Sequence, residues 1–225
     1  MFIDKRHTQL QNLDSFSLRN FILEKDVGYG PKKQFFRTNA SIILCPNHLC
    51  DQWVREYYDE FKQDTDFAKR VLLVVTYDQY KNLTFADILF ADLIVVSYNF
   101  LLNYNYKHLA GYTARVRNRR TISEVLNSLD TDENISSIKD VLDVHQNELN
   151  LFDNFHYKNI ILDENHEIAD KPHLLSTIIR SLQSTYKWNI SATPFPKGLK
   201  SFSDNTVFTC SDTLSLHSSI WNPDM

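Results

Sequence analysis

Glycine, proline and cysteine are all scarce in this chain. Its 225 residues include 4 glycines, 6 prolines and 3 cysteines. So few glycines and prolines exclude a linker-rich or low-complexity protein. The cysteines, Cys45, Cys50 and Cys210, are odd in number and form no C-x-x-C pair. This pattern argues against a zinc site and predicts a reducing, intracellular setting. Cys45 lies in an apolar run and is expected in the core.

A long apolar run and an excess of positive charge are also missing. No run approaches the ~18 residues that span a membrane, and the first residues do not resemble a signal peptide, so no membrane partner is expected. The formal net charge is −4, and any nucleic-acid-binding surface therefore has to be local. With 43% hydrophobic and 13% aromatic residues, the composition fits one globular domain, or one lobe with a tail.

An apolar run that ends in two carboxylates is the most informative stretch. Residues 160–162 are followed directly by Asp163 and Glu164, and then by His166. Buried parallel strands have continuous apolar runs, and the ligands of parallel sheets bind at the carboxyl ends of the strands. Asp163 is therefore predicted at a strand end, where a carboxylate can hold Mg²⁺ through water. Glu164 can polarise a water beside it. The alternative is a strand that ends in a solvated acidic loop.

Other apolar runs alternate with helical patterns along the chain. The predicted strands are residues 41–45, 71–76, 93–97, 159–162 and 187–190. Strands that alternate with helices predict an α/β fold with a mostly parallel sheet and helices on both faces. Asp163, Ser97 and Ser191 each follow or end a strand, so they are expected at one edge of the sheet. A hydrogen bond from Ser191 or Thr193 to Glu164 or His166 is also predicted.

Three further motifs occur in a fixed order with the Asp-Glu pair. They are residues 41–53, with Pro46, Asn47, His48 and a Gln-Trp ending; residues 91–98, ending in Ser97-Tyr98; and residues 188–194, with Ser191-Ala192-Thr193-Pro194. Together they resemble the first motor lobe of superfamily-two DExD/H-box helicases, most of all the chromatin-remodeller-type (Swi/Snf-like) DNA translocases. The resemblance covers residues 21–196. It implies a RecA-like lobe of the P-loop NTPase type, with ATP and Mg²⁺ as cofactors.

The resemblance also implies roles for individual residues. Asp163 would anchor Mg²⁺ via water and Glu164 would be the general base, and coupling to nucleic acid would fall to His166, Ser191, Ala192 and Thr193. Contacts to a DNA or RNA backbone would come from Pro46, Asn47, His48, Ser97 and Tyr98. The ordinary alternative is a capped structural helix after Asn47 and a hydroxyl at a strand end.

The phosphate-binding loop departs from the family pattern. Asp26, Gly28 and Gly30 match it, but Pro31 stands where the family has lysine and Lys32 where it has Ser or Thr. Gly28, Gly30 and Lys32 are the candidate nucleotide-binding residues. Three interpretations stay open: a degraded loop, a working variant shifted by one residue, and an unrelated turn. The helix after such a loop would have to be very short.

The predicted domain organisation has three parts. Residues 1–20 form a helical segment, residues 21–198 the ATP-binding lobe, and residues 199–225 a C-terminal tail for which truncation is one interpretation. A helical insertion is expected at about residues 103–157. It contains the basic cluster Arg115, Arg117, Arg119 and Arg120, which either clamps phosphates or forms a solvated face.

Three functional hypotheses follow from these motifs. The first is an incomplete helicase-like ATPase, whose second lobe is in another chain or missing from this one. The second is a non-catalytic nucleic-acid- or protein-binding module on the same fold. A different phosphohydrolase with a related Asp-Glu strand end is a third and weaker hypothesis, since no further metal ligands accompany the pair.

Overall fold

The computed structural model describes residues 21–25, 33–60, 70–109, 151–170, 173–193 and 208. They form one seven-stranded sheet with helices on both faces. The strands are β1 (Ile22–Lys25), β2 (Lys33–Arg37), β3 (Ser41–Cys45), β4 (Val71–Val74), β5 (Leu93–Ser97), β6 (Phe155–Asp163) and β7 (Gln183–Ile190). The α-helices are α1 (Cys50–Glu60), α2 (Tyr77–Lys81), α3 (Phe85–Leu89), α4 (Tyr98–Leu101), α5 (Tyr104–Leu109) and α6 (His173–Ser181). Short 3-10 helices cover Asn47–Leu49, Phe152–Asn154 and Asn165–Asp170.

The sheet is parallel except at one end. The strand order is β1-β2-β6-β3-β5-β4, and β7 pairs with the other side of β6. Among the described strands, only the β1–β2 pair is antiparallel. β2 and β3 pair with successive parts of the same side of β6. Arg37 of β2 lies opposite His156, near the start of β6, and Ser41 of β3 lies opposite Asn159, further along it. The predicted α/β, RecA-like fold class is confirmed, as is the predicted parallel pairing of the five apolar runs.

The central strands are buried on both faces, which explains their nearly continuous apolar sequences. All five residues of β5 are buried, as are the last four of β3. One face of the sheet packs against an aromatic cluster of Tyr80, Phe100, Tyr106 and Phe152. The other face packs against α1, which brings Trp53, Val54 and Tyr57 onto Ile43, Leu93 and Val95.

Two threonines define where short helices begin. Thr76 caps α2 in a reciprocal pair with Gln79, and Thr84 caps α3 in the same way with Asp87. Such caps satisfy backbone N–H groups that the first helical turn leaves unbonded. The predicted strand 71–76 is therefore shorter in the structure and ends at Val74, because the chain turns into the cap of α2.

A β-hairpin pairing replaces the very short helix expected before β3. Residues 33–37 form strand β2, and Lys25 of β1 lies opposite Lys33 of β2. The expectation of a helix there is wrong for the described residues, because Phe35 and Phe36 lie between polar residues and bury against the sheet. Because the last residues of β2 pair with the first residues of β6, Lys33 lies toward the amino end of the sheet, away from Asp163.

Several predicted features lie outside the described residues. These are the segment 1–20, the loop residues Gly28, Gly30, Pro31 and Lys32, the cluster Arg115–Arg120, and most of the segment 199–225. Both ends of the predicted insertion contribute to the core, through Tyr106 and Phe152, which are fully buried. In the ranges that the structure covers, no helix combines the length and the apolar character of a membrane span.

Candidate functional site

The predicted site residues converge where β6 and β7 end. Asp163, the last residue of β6, lies opposite Ile190, the last residue of β7, and Ser191 follows. Ser97 ends β5, two strands away on the same carboxyl edge. The prediction that Asp163, Ser97 and Ser191 share one edge of the sheet is confirmed. The cause is the parallel register, which brings the carboxyl ends of strands together.

Two aromatic side chains hold Asp163. The indole Nε1–H of Trp53 in α1 donates to Asp163 Oδ2 at 2.8 Å. The hydroxyl of Tyr98 donates to the backbone carbonyl of Asp163, also at 2.8 Å. Burial raises the pKa of the Tyr98 phenol well above its ordinary value, so the hydroxyl keeps its proton and remains a donor. No described residue donates to Asp163 Oδ1.

Glu164 turns the chain sharply at the end of β6. Its φ angle is 50°, in the left-handed region that residues with a Cβ rarely adopt. The turn lets the Glu164 amide donate to the Ile190 carbonyl at 2.8 Å, and the Glu164 carbonyl accept from the Glu167 amide at 2.9 Å. These bonds fix the Glu164 backbone beside the end of β7 and against the 3-10 helix that follows. A left-handed residue costs roughly 1–2 kcal/mol, which these two hydrogen bonds help to offset.

Glu164, His166 and Ser191 form a triangle of polar contacts. His166 Nδ1 lies 3.0 Å from Glu164 Oε2 and 3.0 Å from Ser191 Oγ. The Ser191 hydroxyl donates to Glu164 Oε2 at 3.4 Å and accepts from the Thr193 amide at 3.2 Å. The predicted hydrogen bond between the two strand ends is therefore present. The side chains of His166 and Glu164 are 33% and 31% exposed, so the triangle is accessible from solvent.

The five residues predicted to touch nucleic acid separate into an exposed and a buried group. Asn47 and His48 are exposed in the 3-10 helix between β3 and α1, while Pro46 is buried. Ser97 is fully buried, and its hydroxyl caps α4 by accepting from the amides of Asn99 and Phe100. Tyr98 is 1% exposed. Ser97 and Tyr98 therefore serve the interior of the lobe, and of the five only Asn47 and His48 have exposed side chains.

Sequence reasoning assigned Trp53 to the core and missed its hydrogen bond to Asp163. The available signal was an indole within the Gln-Trp motif, since a half-buried Trp usually bonds its N–H. A contact between Cys45 and Cys50, 3.5 Å apart at their sulfurs, was also missed. Both thiols are free and buried, as expected for Cys45. The hydrogen bond to Cys50 and burial raise the pKa of the Cys45 thiol.

The donor set at Asp163 fits Mg²⁺. Among the described residues, no three His, Cys, Asp or Glu side chains group as metal ligands. That excludes, for those residues, a site built from protein ligands alone. A single carboxylate fits Mg²⁺, which keeps several waters and binds one or two carboxylates together with substrate phosphates. Asp163, a single carboxylate at the end of β6 whose Oδ2 is fixed by Trp53, matches this requirement.

The fold and the site together define a helicase-like ATPase lobe, and the comparisons specify the family. The model of the SNF2-related domain matches residues 9–210, and the chain belongs to that family. A similar solved structure is the Sulfolobus solfataricus SWI2/SNF2 ATPase core in complex with dsDNA. It is 16% identical with a TM-score of 0.43, and the match covers 76% of this chain and 25% of that one. The chain thus corresponds to about a quarter of that structure's chain. No curated protein matches this sequence.

Proposed function

We propose that this chain is the ATP-binding lobe of a helicase-like or DNA-translocase-like ATPase, with a degenerate phosphate loop. The observation that supports it most strongly is the contact of Glu164 with His166 and Ser191, directly beside Asp163. The contact joins the end of the Asp-Glu strand to the end of the Ser-Ala-Thr strand. Motion of either strand end therefore acts on the position of the Glu164 carboxylate.

Asp163 and Glu164 have different tasks in this proposal. Asp163 would hold Mg²⁺ through water, while Trp53 fixes the orientation of its carboxylate. A bound Mg²⁺ would neutralise charge that develops on the β- and γ-phosphate oxygens. Glu164 accepts a proton from the attacking water. Its Oε2 contacts His166 and Ser191, so Oε1 would be the oxygen that takes the proton.

Ser191 connects this chemistry to the nucleic acid. Its hydroxyl is bonded to Glu164 and to the Thr193 amide, and Ala192 and Thr193 are exposed. A backbone of DNA or RNA that contacts Asn47 and His48 lies at the same sheet edge. A second lobe, in another chain or in a further part of this protein, would supply the remaining charges around the phosphates.

The phosphate loop limits the activity of the 225-residue chain. Pro31 supplies neither the lysine ammonium nor a backbone N–H to the phosphates. Loss of one key electrostatic stabiliser typically costs ~10²–10³ in rate. We therefore expect weak binding of ATP and negligible hydrolysis. Replacing Pro31-Lys32 with Lys-Thr should tighten nucleotide binding if the loop is a decayed phosphate cradle.

A non-catalytic binding module is the second candidate. Pro31 favours it, and so does the hairpin pairing of β1 with β2, which replaces the helix expected after the loop. In that case the carboxyl edge would bind nucleic acid or protein through Asn47 and His48 without nucleotide. The two candidates differ in whether ATP binds at all.

The experiment compares ATP binding and turnover, with Mg²⁺ and DNA, in four forms of the protein. These are the natural chain, the Pro31→Lys/Lys32→Thr variant, and Glu164→Gln and Glu167→Gln made in that variant. Glu167 is a carboxylate three residues further on, in the 3-10 helix Asn165–Asp170, and serves as the matched control. The proposal expects the repaired chain to bind ATP more tightly than the natural chain. Any turnover by the repaired chain should be lost with Glu164→Gln and kept with Glu167→Gln. No binding even in the repaired chain would favour the binding module. Robust turnover by the natural chain would show that the loop works as it stands, with Lys32 as the candidate phosphate lysine, because Lys33 lies at the opposite edge of the sheet from Asp163.

A further inference from the structure

Cys45 and Cys50 place two buried thiols in contact where β3 turns into α1. Cys45 is the last residue of β3, and Cys50 is the first residue of α1. Their sulfurs lie 3.5 Å apart, both side chains are buried, and neither thiol is in a disulfide. A disulfide bond is about 2.05 Å long, so an approach of roughly 1.5 Å would allow the two sulfurs to bond.

The connection between the two cysteines allows that approach from one side. Cys45 is held in the middle of the sheet, since β3 pairs with both β5 and β6. Cys50 follows the short turn of residues 46–49, in which Asn47 and His48 are exposed. Local opening of such a surface turn does not require the sheet to unfold. It exposes Cys50 to a small oxidant and lets the Cys50 sulfur move toward Cys45.

The contact also gives the two thiols different reactivities. The hydrogen bond from Cys45 lowers the pKa of the Cys50 thiol, although burial opposes this effect. The hydrogen bond to Cys50 and burial raise the pKa of the Cys45 thiol. The thiolate is the nucleophilic form of cysteine, and susceptibility to oxidation follows thiolate character. Cys50 is therefore the thiol that reacts first with an oxidant, and Cys45 is the thiol placed to react second.

We propose that Cys45 and Cys50 form a reversible disulfide that hydrogen peroxide closes. The Cys50 thiolate attacks one peroxide oxygen, the O–O bond breaks, and Cys50 becomes a sulfenic acid while the departing hydroxide takes up a proton. The Cys45 sulfur then attacks the Cys50 sulfur, the S–O bond breaks, and hydroxide leaves as water with the Cys45 proton. The pair of thiols loses two electrons, and the peroxide is reduced to two waters. A thiol reductant reopens the bond by exchange.

Closure of the disulfide fixes the turn of residues 46–49 and the start of α1. Trp53 lies three residues after Cys50, on the same face of α1, and its indole donates to the Asp163 carboxylate. The bond therefore acts on the exposed turn and on the helix that orients Asp163. Its effect on nucleic-acid binding through the turn rests on the proposed function, whereas the formation of the bond does not.

Peptide mapping without reduction tests the bond. The folded chain, with Cys210→Ser so that only one pair can form, is treated with hydrogen peroxide, alkylated and analysed by mass spectrometry. We expect a Cys45–Cys50 cross-link that dithiothreitol removes. In a Cys45→Ala variant of the same chain, oxidation of Cys50 should stop at a sulfenic acid that dimedone traps. Oxidation to sulfinic acid without a cross-link, or no oxidation until the chain unfolds, would overturn the proposal.

Two measurements on the closed chain show whether the fold accommodates the bond. Its urea midpoint should be no lower than that of the reduced chain, since a bond that the fold opposes would destabilise it. Amide hydrogen exchange should slow several-fold across residues 46–53 and stay unchanged across α6, which serves as the control. A lower urea midpoint, or unchanged exchange at residues 46–53, would contradict the proposed closure.

The effect on nucleic acid is measured separately, by fluorescence anisotropy with a DNA duplex. The closed chain should bind several-fold more weakly than the reduced chain, because the bond holds Asn47 and His48 in a changed turn. Cys50→Ala, treated with the same peroxide, should keep its affinity. Equal affinities of the closed and reduced chains would overturn this effect of the bond. A reduced chain that binds no DNA would instead contradict the proposed function.

Discussion

Trp53 and Asp163 are 110 residues apart in the sequence and are joined by a hydrogen bond of 2.8 Å. The donor lies in α1, which begins after the exposed turn of Asn47 and His48. The acceptor is the carboxylate proposed to hold Mg²⁺. The surface proposed for nucleic acid is thus linked to the nucleotide site through one helix and one indole.

Trp53→Phe should therefore destabilise the lobe and free the Asp163 carboxylate. A hydrogen bond to a charged group contributes about 1.5–3 kcal/mol, and we expect the free energy of unfolding to fall by an amount of that order. A double-mutant cycle with Asp163→Ala, followed by urea unfolding, isolates the pair. Strictly additive effects of the two substitutions would show that the bond does not contribute to stability.

Two buried tyrosines predict a loss of stability at alkaline pH. Burial raises the pKa of Tyr98 and of Tyr157 well above the ordinary 10.0. Because the pKa is higher in the folded state, the unfolded chain loses these protons first. Stability from this source is thus full below pH 10 and falls as the pH rises above it. Urea unfolding between about pH 8 and pH 11 should show the decline, with a smaller slope for Tyr98→Phe and Tyr157→Phe.

The variants must also be compared near neutral pH, where the tyrosines of both states are protonated. There each Tyr→Phe substitution costs only its hydrogen bond, from Tyr98 to the Asp163 carbonyl or from Tyr157 to the Phe152 carbonyl. An alkaline slope that neither substitution alters would assign the pH dependence to other groups.

Asn47 and His48 are predicted to contact a nucleic-acid backbone. Replacing both with alanine should weaken DNA or RNA binding without changing sequence preference, since backbone contacts carry no sequence information. Binding is measured by fluorescence anisotropy over a series of salt concentrations. Gln52→Ala, at an exposed position in the first turn of α1, is the control. Unchanged affinity in the Asn47/His48 variant would remove this turn from the interface.

The arginine cluster is tested by the same anisotropy measurement. If Arg117, Arg119 and Arg120 clamp phosphates, their replacement with alanine leaves those phosphates to be neutralised by salt cations. The dependence of log K on log salt should then flatten by about 0.7–0.9 for each phosphate that an arginine no longer neutralises. An unchanged slope would indicate an ordinary solvated surface.

Cys45 should be a slow nucleophile in the native protein. Its hydrogen bond with Cys50 and its burial raise the pKa of the Cys45 thiol, so the reactive thiolate is rare at neutral pH. Iodoacetamide labelling followed by mass spectrometry should modify Cys45 rapidly only after urea unfolding. Fast labelling of Cys45 in the folded chain would contradict this protection. The Cys50→Ala variant, which lacks the contact, is the comparison and should be labelled faster at Cys45 than the natural chain.

The central strands could be predicted because burial on both faces leaves a continuous apolar run. That signal is clear for Ile42–Cys45, for Leu93–Val96 and for Ile160–Leu162. It is weak for β2, whose sequence Lys-Gln-Phe-Phe-Arg has two apolar residues, and for the first half of β7, where Gln183 to Thr185 are polar. The pairing of β2 with β1 and β6 depends on residues far apart in the chain.

At the site, the sequence determined which side chains end each strand, and the alternation of strands and helices determined that those ends share one edge. Only the tertiary structure decided their contacts. Ser97 and Tyr98 face the interior, where the Ser97 hydroxyl caps α4 and the Tyr98 hydroxyl donates to the backbone carbonyl of Asp163. Trp53 was brought to Asp163, and Glu164 entered the left-handed region so that its amide reaches Ile190. Local propensity favours none of these contacts. They form because packing β6 between β3 and β7 brings these polar groups together away from bulk water, where each needs a hydrogen-bond partner.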